Sequence, residues 1–129
     1  MKTKKIIIIS LLVLLLSLSV IEQIFVTRSM DNILNIANNL KSQIESTNFN
    51  NEDVCTNLDK LDKEWDKTEY YFCFLISHND MKEIGDNICS AKNALNQNDK
   101  TTLLEKINLV IFYADEYKEI MSFNIQNIL

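Results

Sequence analysis

Residues 54–75 read VCTNLDKLDKEWDKTEYYFCFL, and the apolar or small side chains in this stretch recur at alternating intervals of three and four residues. This interval is the period of one face of an α-helix packed against other helices. A β-strand would instead alternate at every second residue. The residues at these intervals are Val54, Leu58, Leu61, Trp65, Thr68, Phe72 and Leu75. The stretch therefore predicts a long amphipathic helix with Trp65 in its buried face.

Three further stretches have the same spacing, and polar clusters at residues 48–51, 77–80 and 96–101 separate the four. Their apolar positions are Val26, Met30, Ile33, Ala37, Leu40 and Ile44; Met81, Ile84, Ile88, Ala91 and Leu95; and Leu103, Ile107, Val110, Ala114, Tyr117 and Met121. Asn50 and Asp99 are residue types that cap helix N-termini, and Phe49 and Val54 occupy the positions of a hydrophobic staple. The chain is predicted to be all-α, with four helices.

The apolar positions also predict how these helices stack. If each polar cluster closes an antiparallel hairpin, pairing the apolar residues that face each other places the middles of the three turns at Phe49, His78 and Asp99. All three positions lie inside the polar clusters. The resulting layers are Ala37/Leu61/Leu95/Leu103, Ile33/Trp65/Ala91/Ile107, Met30/Thr68/Ile88/Val110 and Val26/Phe72/Ile84/Ala114. Trp65 shares its layer with Ala91, and Phe72 with Ala114, so large core side chains face small ones. We therefore expect an antiparallel four-helix bundle.

An uncharged run, IIIISLLVLLLSLSVI at residues 6–21, follows a basic N-terminus. At about 1.5 Å per residue, residues 6–26 span roughly 31 Å, enough to cross a hydrocarbon core of about 30 Å. Lys2, Lys4 and Lys5 are expected to remain cytoplasmic by the positive-inside rule. The predicted order is a cytoplasmic start (1–5), a single-pass membrane anchor (6–26) that continues into an extracytoplasmic bundle (27–122), and an apolar C-terminal tail (123–129).

A secretory signal peptide is the rival interpretation of this run, because a basic start and an apolar core fit both. The small residues Ser17 and Ser19 are suited to cleavage, and cleavage at Ser19 would make the protein secreted. Lipoprotein anchoring is excluded, since the first cysteine is Cys55. Under either interpretation the part after the basic start has ten basic and eighteen acidic residues, a net charge of −8. An acidic, exported bundle is expected.

The composition of the 129-residue chain excludes several classes of protein. Its single glycine, Gly85, cannot supply the Gly-rich loop of a nucleotide-binding site. Its net charge of −5 and the lack of a basic patch argue against nucleic-acid binding. With one histidine and no catalytic arrangement of side chains, we expect no enzyme activity and no cofactor. The usage of many Asn and Ile residues and few Ala residues fits the AT-rich codons of a low-GC bacterium.

The three cysteines and the histidine do not form a recognisable reactive or metal site. In the predicted register Cys73 lies about six residues, or roughly 9 Å, from facing Cys89, beyond the roughly 7 Å that a disulfide spans. We therefore expect Cys55, Cys73 and Cys89 to be thiols packed beside the apolar faces, outside any disulfide. His78 is expected in a helix turn, and it lacks the Glu three residues before it that a di-metal bundle uses. No metal is expected.

Acidic residues also line one side of the helix at 54–75. They are Asp59, Asp62, Asp66 and Glu69, and lysines lie between them. Pairs four residues apart, such as Asp59 with Lys63 and Lys60 with Glu64, have the spacing of surface ion pairs within one helix. We interpret this side as a solvated face.

Residues 70–76, YYFCFLI, are apolar on all sides, which a bundle helix does not require. In the predicted topology this segment and the apolar tail lie next to the bilayer, where tyrosines are common. Lipid and a partner protein in the membrane explain the pattern equally well. The candidate interaction surface is Tyr70, Tyr71, Phe74, His78, Phe123, Ile125, Ile128 and Leu129.

Several short motifs occur in a recognisable order along the chain. They are Leu61-Asp62-Lys63-Glu64-Trp65, Ile76-Ser77-His78, Asn98-Asp99-Lys100, Glu116 and Asn127-Ile128-Leu129. With the basic start and apolar helix, this layout resembles the family called domain of unknown function 4363. The resemblance implies a small membrane-anchored protein of clostridia and their relatives, and it implies no chemistry. The three cysteines are not part of the pattern, which weakens a cysteine-based mechanism.

These observations favour a non-enzymatic accessory protein of the cell membrane whose exported bundle binds another membrane or envelope protein. The alternative is an exported sensor or a bundle that binds a small ligand. With one membrane segment and five residues inside, such a sensor would need a partner to signal.

Overall fold

The structure, a computed structural model, describes residues 1–47, 49–73 and 78–126, and the side chains of residues 1–47, 49–73 and 81–121. The helices are α1 (Lys2–Glu45), α2 (Asn51–Phe72), α3 (His78–Asn96) and α4 (Lys100–Gln126). No strand occurs in the described ranges. The predicted all-α fold of four helices is confirmed.

The helices form a ring in which α1 and α3 each pack against both α2 and α4. The connections between successive helices have three to five residues, and such short connections make neighbouring helices antiparallel. Two helix bounds differ from the sequence prediction. His78 is the first residue of α3 and not part of the break, and α4 continues to Gln126, past the predicted start of the tail at residue 123. Neither Gly nor Pro occurs near either point to stop the helix.

The two predicted caps are present. The Asn50 side chain accepts a hydrogen bond from the Glu52 amide at 3.0 Å. The Asp99 carboxylate accepts from the Thr102 amide at 3.0 Å and from the Thr102 hydroxyl at 2.6 Å. Each cap supplies an acceptor to amides that have no partner within their own helix.

The connection between α3 and α4 uses asparagine where glycine is usual. Asn98 has a φ of 55°. Its amide donates to the Leu95 carbonyl at 3.0 Å, and the Asp99 amide donates to the Ala94 carbonyl at 2.9 Å. This is the Schellman pattern of helix termination, and Asn tolerates its left-handed conformation better than most residues. Asp99 therefore ends one helix and caps the next, so α3 and α4 are joined by a fixed turn.

We expect the Asp99 cap to make stability depend on pH. The hydrogen bonds from Thr102 hold the pKa of Asp99 below its ordinary value of 3.8. The stabilisation is therefore fully present above pH 3.8 and is lost as the pH falls through the lower pKa of the folded state. In Asp99→Asn the amide keeps an acceptor for the cap but does not titrate.

The measurement is denaturant unfolding of the wild type and Asp99→Asn across acidic pH. The difference in stability between them should be constant at neutral pH and should shrink as the pH falls below 3.8. A difference that stays constant through that range would show that Asp99 is not hydrogen-bonded as a carboxylate.

Every residue of the four predicted layers is buried. Two of the predicted apolar positions near the end of α4, Tyr117 and Met121, are only partly buried, because they lie beyond the last fully buried layer. Asn87 and Ala94 are buried although the spacing did not predict it. The Asn87 amide donates to the Glu83 carbonyl at 2.7 Å, so this buried polar side chain is hydrogen-bonded.

The Trp65 ring contacts α3 at a glycine, whereas the predicted layer placed Ala91 opposite it. Its side chain is 1% exposed, and its indole Nε1 lies 3.0 Å from the place where a Cβ on Gly85 would be. The edge of the ring therefore rests on α3 at its glycine, while Ala91 is also fully buried. Glycine inside a helix costs about 1 kcal/mol relative to alanine, and here its missing side chain makes room for the ring.

The ion pairs of the described side chains include contacts between helices that the sequence did not predict. Lys92 of α3 lies 3.1 Å from Asp59 and 2.6 Å from Asp62 of α2. Lys118 of α4 lies 2.6 Å from Asp31 of α1. The expected pairs of Asp59 with Lys63 and Lys60 with Glu64 do not form among these side chains, and Asp59 pairs with Lys92 of α3 instead. Hydrogen bonds to Asp62 and Asp59 raise the pKa of Lys92, and the bond to Asp31 raises the pKa of Lys118.

Candidate interaction surface at one end of the bundle

The apolar run lies outside the bundle. The large side chains from Ile6 to Ile21 are more than half exposed, and the first buried residue of α1 is Val26. Within the described residues, α1 is long and apolar enough to cross a membrane. We call the end of the bundle beside Val26 the proximal end, and the end beside Phe49 and Asp99 the distal end. The proximal end is therefore the part of the bundle nearest the exposed run.

Aromatic side chains gather at the proximal end. Tyr70 and Tyr71, at the end of α2, are 66% and 47% exposed. The Phe25 ring of α1 meets the rings of Tyr71 and Phe72 edge-on, with centroids 5.5 and 6.1 Å away, and Tyr70 and Tyr71 are 5.6 Å apart. Phe25 is itself 41% exposed. The surface therefore includes an α1 residue that sequence reasoning missed, although its place just after the apolar run was a usable signal.

The other residues of the predicted surface are described only in part. His78 begins α3, and Phe123 and Ile125 belong to α4, in all three cases without a described side chain. Phe74, Ile128 and Leu129 lie outside the described residues. The structure therefore brings Tyr70 and Tyr71 together with Phe25, and the contribution of the other six stays a prediction.

A groove runs between α1 and α2 at this end, with a volume of about 180 Å³. We call it the α1/α2 groove, and it is lined by Phe25, Arg28, Ser29, Asn32, Glu64, Lys67, Thr68 and Tyr71. Thr68 is buried, and its hydroxyl donates to the Glu64 carbonyl at 2.7 Å. The rings of Phe25 and Tyr71 form the apolar side of the groove, and Arg28 and Lys67 bring two cations to its polar side. The arrangement suits a ligand with an anionic group attached to an apolar body.

A smaller groove of about 70 Å³ lies at the distal end, next to the turn between α3 and α4. There the Lys100 ammonium lies 5.2 Å from the centre of the Phe49 ring, and the Asn51 amide donates to the Asn98 side chain at 3.3 Å. The polar groups of this groove are thus engaged with one another. We interpret it as part of the turn.

The cysteines lie on the surface of the described structure. Cys55, Cys73 and Cys89 are exposed and form no disulfide, so the expectation that their side chains pack beside the apolar faces was wrong. Each cysteine follows directly after a buried apolar residue of its helix. This position turns its side chain away from the core. Among the described side chains, no three His, Cys, Asp or Glu residues cluster closely enough to hold a metal ion.

Comparison with known proteins assigns the chain to a family. No curated protein and no solved structure shows a significant match. Residues 20–128 match the model of the family described as Domain of unknown function (DUF4363). This match covers the end of the apolar run and the whole bundle. The chain therefore belongs to the DUF4363 family.

Proposed function

We propose that this chain is a non-enzymatic accessory protein of the cell envelope, anchored in the cytoplasmic membrane by residues 6–26. Its bundle lies outside the membrane and binds another membrane or envelope protein through the proximal end. The observation that carries the proposal is the form of α1, a single helix of 44 residues whose first part is apolar and exposed while its second part is core. An apolar surface of this length in water would be an aggregation liability, and a bilayer covers it.

The hydrogen bonding of the run supports a position in lipid. The hydroxyl of Ser17 donates to the Val13 carbonyl at 2.8 Å, and that of Ser19 donates to the Leu15 carbonyl at 3.1 Å. Two of the three serine side chains in residues 6–21 are thus hydrogen-bonded within the helix, as an apolar environment favours. Lys2, Lys4 and Lys5 lie directly before the run, and this concentration of lysines favours a cytoplasmic N-terminus.

The proximal aromatic residues support partner binding. Tyr70 and Tyr71 are large, exposed rings next to the anchor, and tyrosine is enriched in the energetic centres of protein interfaces. On this account only lipid headgroups or the outer part of another membrane protein can reach them. Among the described residues, the grooves at the two bundle ends are smaller than the 300–1,000 Å³ usual for ligand pockets, and we therefore favour partner binding over the small-ligand alternative.

The test is crosslinking in intact cells, followed by recovery of the partner with variants of the proximal end. Tyr70→Ser with Tyr71→Ser should lower partner recovery by more than about tenfold, since a buried aromatic contact is worth about 2 kcal/mol or more. Deleting residues 123–129 should have a similar effect and remove only the last turn of α4. Phe74→Ser tests the third aromatic residue that this segment contributes to the predicted surface.

The matched control is Tyr70→Phe with Tyr71→Phe, which keeps both rings and should keep the partner. Circular dichroism should show near-normal helix content in all variants. Unfolding of the Ser variants would place these rings in the core and contradict the proposal. Folded variants that recover the partner normally would move the function to the distal end. Co-purification of a small molecule in place of a protein would favour the sensor alternative.

A further inference from the structure

The α1/α2 groove has a charge that its own neighbours do not neutralise. Most described lysines of the bundle, such as Lys41 and Lys60, form no ion pair within 4 Å, and Arg28 and Lys67 differ from them in lining one and the same groove. Arg28 and Lys67 form no such pair with a described residue, although the Glu64 carboxylate is on the same groove. Two cations and one carboxylate leave a local charge of +1, on a bundle that is acidic as a whole. The groove therefore matches a ligand with one negative charge.

The height of the groove above the membrane identifies the ligand class. If the anchor ends at Val26, Arg28 lies about 3 Å and Asn32 about 9 Å beyond the hydrocarbon boundary, at 1.5 Å per residue. The headgroup layer on each side of a bilayer is roughly 5–7 Å thick. Arg28 is therefore level with the phosphates of the outer leaflet and Asn32 lies just above them, while the Phe25 and Tyr71 rings lie at the boundary that aromatic residues favour.

We propose that the α1/α2 groove binds the phosphodiester of an anionic phospholipid, such as phosphatidylglycerol, from the outer leaflet. Arg28 donates two parallel hydrogen bonds to the phosphate oxygens, and Lys67 adds a point charge. Ser29 and Asn32 offer further donors, and Glu64 accepts from a headgroup hydroxyl. The acyl chains leave the groove past Phe25 and lie along the apolar run. A choline headgroup binds less well, because its quaternary ammonium meets two cations.

This site rests on the proposed function, since it requires residues 6–26 to lie in the bilayer. The test uses the full chain in detergent and native mass spectrometry to count bound phospholipid during titration with phosphatidylglycerol or phosphatidylcholine. The wild type should retain phosphatidylglycerol in preference. Arg28→Gln with Lys67→Gln should lose about fivefold in apparent affinity for each cation removed.

The matched control is Lys41→Gln with Lys60→Gln, which makes the same charge change on the same two helices at a distance from the groove. This control should bind phosphatidylglycerol as the wild type does. Equal loss in both double variants, or equal retention of the two lipids by the wild type, would overturn the site. All four side chains are on the outside of the bundle, and circular dichroism checks that the variants fold.

Two further measurements separate the possible failures. Inorganic phosphate in excess should leave the bound lipid in place; if phosphate displaces it fully, the groove is a site for free phosphate and the lipid proposal is wrong. Extraction of cell membranes with alkaline carbonate tests the anchor separately. A chain that stays in the membrane but shows no lipid preference overturns the groove proposal alone, whereas release of the chain overturns the proposed function as well.

Discussion

Replacing Trp65 by alanine is expected to lower the stability of the bundle by about 3 to 5 kcal/mol. The ring is 1% exposed and rests on Gly85, so its removal leaves a large cavity between helices that cannot close completely. One effect opposes this loss. The indole Nε1 is buried without a hydrogen-bond partner among the described residues, and an unpaired donor costs about 1 to 3 kcal/mol. The packing that is lost with the ring outweighs the relief of this unpaired donor.

A second substitution separates the two effects. Trp65→Phe keeps most of the apolar volume and removes the unpaired N–H, so it should cost no more than about 1.5 kcal/mol. Unfolding in denaturant, followed by circular dichroism, measures both variants. Phe112→Ala is the control, because Phe112 is aromatic but 57% exposed and its loss should change stability by about 0.5 kcal/mol or less. A loss below about 1 kcal/mol in Trp65→Ala would show that the ring is not in the core.

Introducing Leu12→Lys and Leu15→Lys together is expected to abolish membrane association. Each lysine at the centre of a membrane helix costs about 2.5 to 3.5 kcal/mol, and each lost leucine removes about 0.3 to 0.6 kcal/mol of favourable transfer. The combined change is about 6 to 8 kcal/mol. This is comparable with the total favourable transfer free energy of the apolar residues of the run on the same scale. Because neither side chain packs on the bundle, helix packing should be retained.

Fractionation of cells with carbonate extraction is the measurement for this prediction. The control, Leu12→Ala with Leu15→Ala, keeps the run uncharged and should stay in the membrane. Membrane association that survives both lysines would show that the run is not the anchor. The mass of the mature wild-type chain decides between anchor and signal peptide, since an anchor leaves the basic start attached.

The sequence predicts the parts of this structure that depend on local or repeating patterns. The three- and four-residue spacing identified the buried face of each helix, and the capping residue types identified Asn50 and Asp99, because both are properties of a single helix. Contacts between helices could not be predicted in detail. Lys92 pairs with Asp59 and Asp62 because of the distance and rotation between α2 and α3, which spacing along one helix does not determine.

The candidate interaction surface was likewise predictable only where it depends on a single helix. Exposure of Tyr70 and Tyr71 follows from their positions outside the apolar face, and the structure shows both exposed. The contact of Phe25 with Tyr71 and the α1/α2 groove depend on how two helices cross, and neither is visible in the spacing. Gly85 was a further usable signal in the sequence. A lone glycine inside a helix usually has a packing reason, and here it makes room for the Trp65 ring.

The central claim is that the bundle lies outside the cytoplasmic membrane on an anchor whose basic start lies inside. The most direct measurement is labelling of expressing bacterial spheroplasts with a maleimide that cannot cross the membrane. Cys55, Cys73 and Cys89 are exposed on the bundle, so the wild type should be labelled in intact spheroplasts and recovered in the membrane. A variant with these three cysteines changed to serine and carrying Lys4→Cys should be labelled only after the membrane is opened. Labelling of the wild type only after opening, or of Lys4→Cys before it, would contradict the account.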